Sequence, residues 1–528
     1  MAAQGMNQRP RHDHDLPTGL FLVLMAMAPG MLMAQDDGPA NGQHVEVLNA
    51  DRWEYDKDLA TGAQRLLGHV RFKHENVLMS CDSAHLRGQE RVDAFGNVML
   101  TQGDTLRITG DRLEYDGRGH TARMSGEVRL QDPGMELSTG ALLYHVKERR
   151  AEYGTGARIT DKRGGSTLTS RKGSYDVQGR IFHFTDSVRV LDAGQVILTD
   201  TLTYATPTGM AVFGGPTQII QPDAHLFAER GSYDTRTGEG WFTRAGRIIS
   251  GGQELTGDTL HYLRETGDGE GWGHVSVTDT VNNLVVRGHH GTHRPGDGRS
   301  MVTGRAELVM LMGGDSLFLH ADTLFAWQDS LSRRRVLARR NVRFFKSDLQ
   351  GVCDTMAYTQ ADSLIALHGE PFLWSREDQI SGDSMSIKLR DGHAETLHVL
   401  GSAFLASQVD TTHFNQVTGL MMTAFFHQDQ IVKVVAEGNS RTVYFAKETK
   451  DSVEQVTGVN RADCSIITVG LDSGRVSTVS FLTRPTATLY PLAAAPEEEK
   501  RLEGFRWNAA ARPEDRGSIF RTAGEGRP

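Results

Sequence analysis

The chain has 528 residues, 38% hydrophobic and 23% charged, with 58 Gly and only 15 Pro, a balance that excludes collagen-like and disordered classes and leaves a folded protein. Its formal net charge of −9 arises from 57 basic and 66 acidic residues that are well mixed along the chain, so there is no domain-scale basic face and nucleic acid is excluded as a partner. Cys81, Cys353 and Cys464 are too few and too scattered for a disulfide framework or a zinc site, and behave as small buried hydrophobes.

Residues 1–34 open the chain with Arg9 and Arg11 ahead of an apolar run, Leu20 to Ala28, which Pro29-Gly30 interrupts and Met31 to Ala34 ends. This pattern predicts a secretory signal peptide cleaved after Ala34. The run is too short and too broken for a membrane span of about 20 residues. An exported chain that works outside the cytoplasm is the expectation.

From residue 45 to residue 445 two signatures alternate. The first is Gly-Asp-x-Leu-x-Tyr, as in Gly110-Asp111-Arg112-Leu113-Glu114-Tyr115 and Gly257-Asp258-Thr259-Leu260-His261-Tyr262, and its tyrosines at 115, 144, 175, 204, 233 and 262 lie 29, 31, 29, 29 and 29 residues apart. The second is Gly-x-Val, as in Gly68-His69-Val70, Gly96-Asn97-Val98, Gly126-Glu127-Val128 and Gly273-His274-Val275, with 13 copies once degenerate members such as Asp186-Ser187-Val188, Arg340-Asn341-Val342 and those marked by Gly156 or Gly438 are counted. A fixed period of about 30 residues marks a repeat architecture. Between turns the apolar residues alternate, as Leu106/Ile108, Val128/Leu130 and Val188/Val190 do, which is the period of half-buried β-strands; helical periodicity is absent. Leu106 and Ile108 share one parity and Leu113 and Tyr115 the other, so each strand changes its inward face across Gly110-Asp111, as a bulge or corner makes it do. Asp in that slot is expected to bond its own backbone. The fold class is therefore all-β, an elongated repeat of stacked two-sheet units. One layer per unit gives a stack of roughly 60 Å at ~4.8 Å per layer, with an open edge at each end.

Three stretches invite chemical readings. Gly267-Asp268-Gly269-Glu270-Gly271-Trp272-Gly273 alternates glycine with acid and is expected to be a hairpin loop rather than a phosphate cradle. His289, His290 and His293 have metal-like spacing without a supporting Cys or carboxylate, and exposed loop histidines are expected. Arg333, Arg334, Arg335, Arg339 and Arg340 form the one dense basic cluster, expected at a solvated hairpin tip. No GxSxG, HExxH or Walker-type motif occurs, and an Asp repeated every 30 residues is architectural where catalysis needs one singular geometry. The expectation is no catalytic residue, no metal, no cofactor and no enzyme. After the repeats, residues 446–507 form a last β segment and ending, and 508–528, rich in Gly, Arg and Pro, are expected to be disordered.

Signal peptide, Gly-Asp-x-Leu-x-Tyr corners and Gly-x-Val strands together resemble the OstA-like family, which includes periplasmic lipopolysaccharide-transport proteins and the N-terminal domain of the outer-membrane assembly protein. The ending, from Asn460-Arg461-Ala462-Asp463-Cys464 to Lys500-Arg501-Leu502-Glu503-Gly504-Phe505-Arg506-Trp507, resembles that of the longer OstA-like proteins of Bacteroidetes. The resemblance implies a twisted β-jellyroll, one or two in succession over 45–445, open along one side, with lipid A acyl chains of lipopolysaccharide in an apolar interior. It also implies pairing with other jellyroll envelope proteins through edge strands. Lipid-facing candidates are Leu113, Tyr115, Val128, Leu130, Leu142, Tyr144, Val188, Val190, Leu202, Tyr204, Leu260 and Tyr262. The competing reading for these residues is a closed core that packs against itself. At the level of function the rivals are a structural or adhesive β-solenoid of the envelope that binds no lipid and a β-helix polysaccharide enzyme, the latter disfavoured because no unrepeated acidic cluster exists.

Overall fold

The computed structural model describes residues 44–521 apart from 56–62, 163–164, 193, 281–282, 313, 330, 332, 429, 451–452 and 473–474, so the expected export signal lies outside the described residues. What is described forms one antiparallel sheet of 36 strands, in which the long strands pair with their neighbours in sequence and, where a strand is divided, its two limbs pair separately, as Arg150–Tyr153 does with Lys172–Asp176 and Ala157–Asp161 with Thr167–Ser170; the helical elements among the described residues are four short 3₁₀ turns after residue 491. No described helix is long and apolar enough to cross a membrane.

Each strand of about eleven residues is bent in the middle, and the bend is where the two sequence signatures meet. In the strand Gln64–His74 the pair Gly68-His69 takes left-handed backbone angles, and together these two residues oppose the single Asp82 of the strand Val77–Arg87. The next strand, Arg91–Gln102, repeats the device at Gly96-Asn97. Such a two-against-one bulge bends both strands. Inward residues keep their parity through the Gly-x strand (Leu66, Val70, Phe72) and change it through the Asp strand (Cys81, then Ala84 and Leu86). The Asp does not turn back onto its own backbone as expected. It reaches to the following strand: Asp51 meets His69 at 2.7 Å, Asn97 donates to Asp82 at 2.8 Å, Asp258 meets His274 at 2.8 Å, and Asn341 donates to Asp322 at 3.0 Å.

Glycine at the corner is a steric requirement. A Cβ on Gly126, whose φ is +78°, would stand 2.2 Å from a carboxylate oxygen of Asp111. Gly103 has a comparable φ of +62° and open space around its Cβ direction. Gly103→Ala is therefore expected to lose about 1–2 kcal/mol, the left-handed cost alone, and Gly126→Ala distinctly more, because the Asp111–corner contact breaks as well. Chemical denaturation of the two variants side by side measures the difference.

A unit of about 29 residues thus supplies two bent strands, a Gly-x strand and an Asp strand, rather than the single layer expected from sequence. The stack is accordingly about twice as long as expected, on the order of 120 Å at ~4.8 Å per strand. Cys81 and Cys353, both buried free thiols, are correspondingly farther apart than a one-layer unit implies; burial pushes their pKa values up to about 11 and about 12.

The apolar interior between the two limbs of the bent strands is divided. One buried cluster runs from Val45 to Val275 and a second from Leu284 to Val469. A third lies on the other face of the last strands: Ala403 and Leu405 belong to the second cluster, whereas Phe404 and Ala406 pack with Val443, Phe445 and Leu502.

That third cluster exists because the C-terminal segment straps the outside of the sheet. Leu502 N–H donates to Gln416 Oε1 (2.8 Å), Gln379 donates to the Arg506 carbonyl (2.6 Å), Arg512 reaches Gln350 (2.7 Å), Arg343 donates to the Ala511 carbonyl (2.7 Å), and Arg516 makes a forked contact with Glu307 (2.6 and 2.8 Å). The segment therefore travels backwards along the stack, from the strand Phe414–His427 to the strand Arg299–Met312. Residues 508–521 are ordered, against the expectation of disorder, because Ile519 is fully buried and Phe520 lies against His320 and under Arg305. Burial alone would raise the Glu307 carboxyl, yet the hydrogen bonds from Arg516 and Arg287 outweigh it and hold the pKa below the usual range.

Candidate functional site

All twelve lipid-facing candidates lie on the inner face, and the most exposed of them, Tyr262, is 5% accessible. From residue 45 to about residue 190 the interior is filled by its own side chains. The trough is closed there on both sides: at the corners by the Asp–Gly contacts, and at the opposite mouth, where the free ends of the two limbs face each other, by a line of hydrogen bonds.

That line is built from the repeating tyrosines. Each stands at the far end of an Asp strand on one limb, and the hydroxyls of five of the six meet a polar side chain at the far end of the other limb, 38 to 43 residues earlier in the chain. Tyr115 meets His74 Nδ1 at 2.6 Å, Tyr144 donates to Gln102, Tyr175 to Asp132, Tyr233 to Gln195 at 2.8 Å, and Tyr262 to Gln221 at 3.0 Å. Tyr204 stands in the same row but lies beside Thr235, in the turn after the next Asp strand on its own limb, rather than meeting a group across the mouth. Asp132 also accepts the backbone N–H groups of Gly134 and Met135, at 2.7 and 2.8 Å. Burial pushes the Tyr144 hydroxyl up to about 12. These phenols therefore stay neutral donors, and each rung satisfies a buried polar group that would otherwise be expensive.

The ladder stops after Tyr262. In the next two Asp strands the tyrosine slot holds His293 and then Ala326, and Gly291 stands where Leu260 stood. His293 Nδ1 lies 2.8 Å from Ser300 Oγ, and burial lowers its pKa. Gln253 donates to Asp279 at 3.2 Å and Arg334 to the same carboxylate at 3.4 Å, so these rim groups bond along one another instead of meeting a tyrosine hydroxyl. Here, between the first and second clusters, the trough has room: two adjoining cavities of about 390 and about 280 Å³ share Ser250, Gln253, Val277, His293 and Pro295. Leu255 and Tyr262 line the first, and Val286, Leu308 and Leu324 the second.

The three chemical stretches fall around this opening, not where expected. Residues 268–273 are not a loop: they begin the strand Asp268–Asp279, with Gly269 and Gly271 facing inward and Gly273 forming a corner. The histidines are on the strand Leu284–Arg294, where His290 bonds Glu270 at 2.7 Å and stacks on Trp272 outside while His293 faces the cleft. The arginine cluster is split. Arg333 pairs with Asp329 at 2.8 Å, Arg334 lines the cleft, and Arg340 occupies a corner beside Asn341.

Sequence reasoning missed the ladder's other half, Gln102, Asp132, Gln195 and Gln221, and the rungs Tyr175 and Tyr233. The tyrosine spacing was visible, but its partners belong to the opposite limb and emerge only once the strand pairing is known.

Residues 42–194 match the family model described as OstA-like protein. No curated protein matches the chain. Among solved structures, LptH, the LptA-homologous periplasmic component of the conserved lipopolysaccharide transport device from Pseudomonas aeruginosa, matches at 12% identity and a TM-score of 0.21, over 27% of this chain and 95% of that one. Over residues 42–194, the chain is similar to the OstA-like family.

Proposed function

We propose that the chain is a non-enzymatic periplasmic carrier or bridge in outer-membrane biogenesis that holds the acyl chains of lipopolysaccharide between the limbs of its bent strands. The observation that carries this reading is an apolar interior, in two successive clusters, whose mouth is fastened in the first by separable side-chain hydrogen bonds and stands open between the two, where the tyrosine slot holds His293 and Ala326. Withdrawing one ~14-carbon acyl chain from water is worth on the order of 10 kcal/mol at ~0.8 kcal/mol per methylene. That exceeds the roughly 1–3 kcal/mol of a buried rung, so an entering chain can part the ladder locally. The name of LptH, a component of a lipopolysaccharide transport device, agrees with the same cargo.

The end strands support a bridging arrangement. Glu46–Asn49 and Arg52–Tyr55 at one end, and Arg475–Leu482 and Thr486–Pro491 at the other, are paired on one side only among the described residues, and expose Trp53, Tyr55, Leu482 and Leu489. Open edges of this kind accept a strand from another jellyroll protein.

Photo-crosslinking in cells tests the cargo. A crosslinker at Leu308 in the cleft, and at Leu142 and Leu202 in the filled trough, is expected to capture lipopolysaccharide, most strongly at Leu308. One at the outward Glu114 is expected to capture none. Capture at Glu114 alone sinks the proposal.

A further inference from the structure

The first rung of the ladder differs from the rest. Later rungs set Gln102, Asp132, Gln195 and Gln221 opposite their tyrosines; the first sets an imidazole, His74, only 1% exposed. The His74 ring stacks on His120, with 5.4 Å between centroids and 23° between planes. His120 belongs to the turn after the strand Leu106–Asp116, on the other limb, and its Nδ1 is buried without a hydrogen-bond partner. Glu75, exposed in the turn after His74, adds a carboxylate, and one ligand atom from each of His74, Glu75 and His120 lies within 4.8 Å of the other two.

We propose that His74, Glu75 and His120 form a binding site for a divalent transition metal, zinc by preference, that fastens the first rung of the ladder. Two imidazole nitrogens and one carboxylate oxygen are a known zinc donor set, leaving a fourth position for water. Imidazole donors select zinc-like ions over calcium and magnesium, which prefer oxygen ligands. The Tyr115 hydroxyl, 2.6 Å from His74 Nδ1, holds the ring in place, the outer-shell role that sharpens such sites. A metal here ties together the turns that end the two limbs, beside the edge strands Glu46–Asn49 and Arg52–Tyr55, where a bent strand has a neighbour on only one side.

The test is a zinc titration of the untagged full chain, stripped with a chelator, in competition with a chromophoric chelator. One tight equivalent per chain is expected, with affinity lowered at least about tenfold by Glu75→Gln and by His120→Ala. Tyr115→Phe keeps every ligand and is expected to weaken binding about tenfold through lost orientation. Cobalt in place of zinc is expected to give the visible absorption of a four-coordinate site, lost in His120→Ala. Circular dichroism checks that each variant folds, and Glu75, exposed in a turn, is the substitution least able to disturb folding. A wild-type chain that takes up no stoichiometric zinc, or a Glu75→Gln chain that binds it as tightly as wild type, overturns the site.

Discussion

Ending the chain at Arg501 is expected to split its thermal unfolding into two transitions, with the second half of the stack melting well below the first. Leu502 and Ile519 are almost fully buried, and Phe505 and Trp507 pack on Phe404 and Phe414. At about 1.5–3 kcal/mol per large apolar side chain returned to water, their loss is on the order of 5 kcal/mol or more. Gln350, Gln379 and Gln416, each at most 3% exposed, lose partners as well (for Gln416, the Leu502 N–H), and Glu307 loses the fork from Arg516. In a stack where each unit touches mainly its neighbours the damage stays local. The cluster from Val45 to Val275 has no contact with the strap among the contacts above, so its transition is expected to keep its temperature. Differential scanning calorimetry of the two chains reads both transitions; an unchanged single transition contradicts the role given to the strap. The truncated chain is also expected to aggregate, because Phe372 and Trp374 join a newly exposed aromatic face.

The second large effect concerns the ladder. Replacing Tyr144, Tyr175 and Tyr233 together by Phe keeps the rings in the core and removes only the hydroxyls. Gln102, Asp132 and Gln195, between 2% and 7% exposed, each lose a partner. Each loss is expected to cost about 1–3 kcal/mol, with the ionisable Asp132 at the upper end. Successive rungs are two strands apart, close to 10 Å, a separation at which the effects add. The urea midpoint of the first half is expected to fall accordingly, while crosslinking of lipopolysaccharide from Leu142 rises because the mouth parts more easily. Stability and capture thus move in opposite directions. A purely structural ladder predicts a fall in stability with no gain in capture, and that pairing would falsify its role as the mouth of a trough.

How far the sequence revealed this arrangement follows from where each piece of information resides. The corner was legible because its mark is local: the parity switch between Ile108 and Leu113 is written within one strand, and Gly110-Asp111 punctuates it. The layer count was not, since Gly-x-Val and Gly-Asp-x-Leu-x-Tyr look like two parts of one layer until the register pairs Asp82 with Gly96-Asn97 on separate strands. The strap was hidden by its own composition, which has the Gly, Pro and Arg content of a disordered tail. Its docking face was legible in principle: Phe372-Leu373-Trp374 and Ala403-Phe404-Leu405-Ala406 break the alternation of a half-buried strand and signal burial on both faces. The cleft was visible as a defect, His293 and Ala326 where tyrosine should recur, and its meaning appears only when the tyrosines are seen to close the mouth everywhere before it.

The central claim is that the trough between the limbs holds acyl chains. Binding of the purified full chain to intact lipopolysaccharide and to the same molecule with every acyl chain removed, measured side by side, tests it most directly. The account predicts binding of the intact form and none of the deacylated one; equal binding of both would place recognition on the sugars and contradict it.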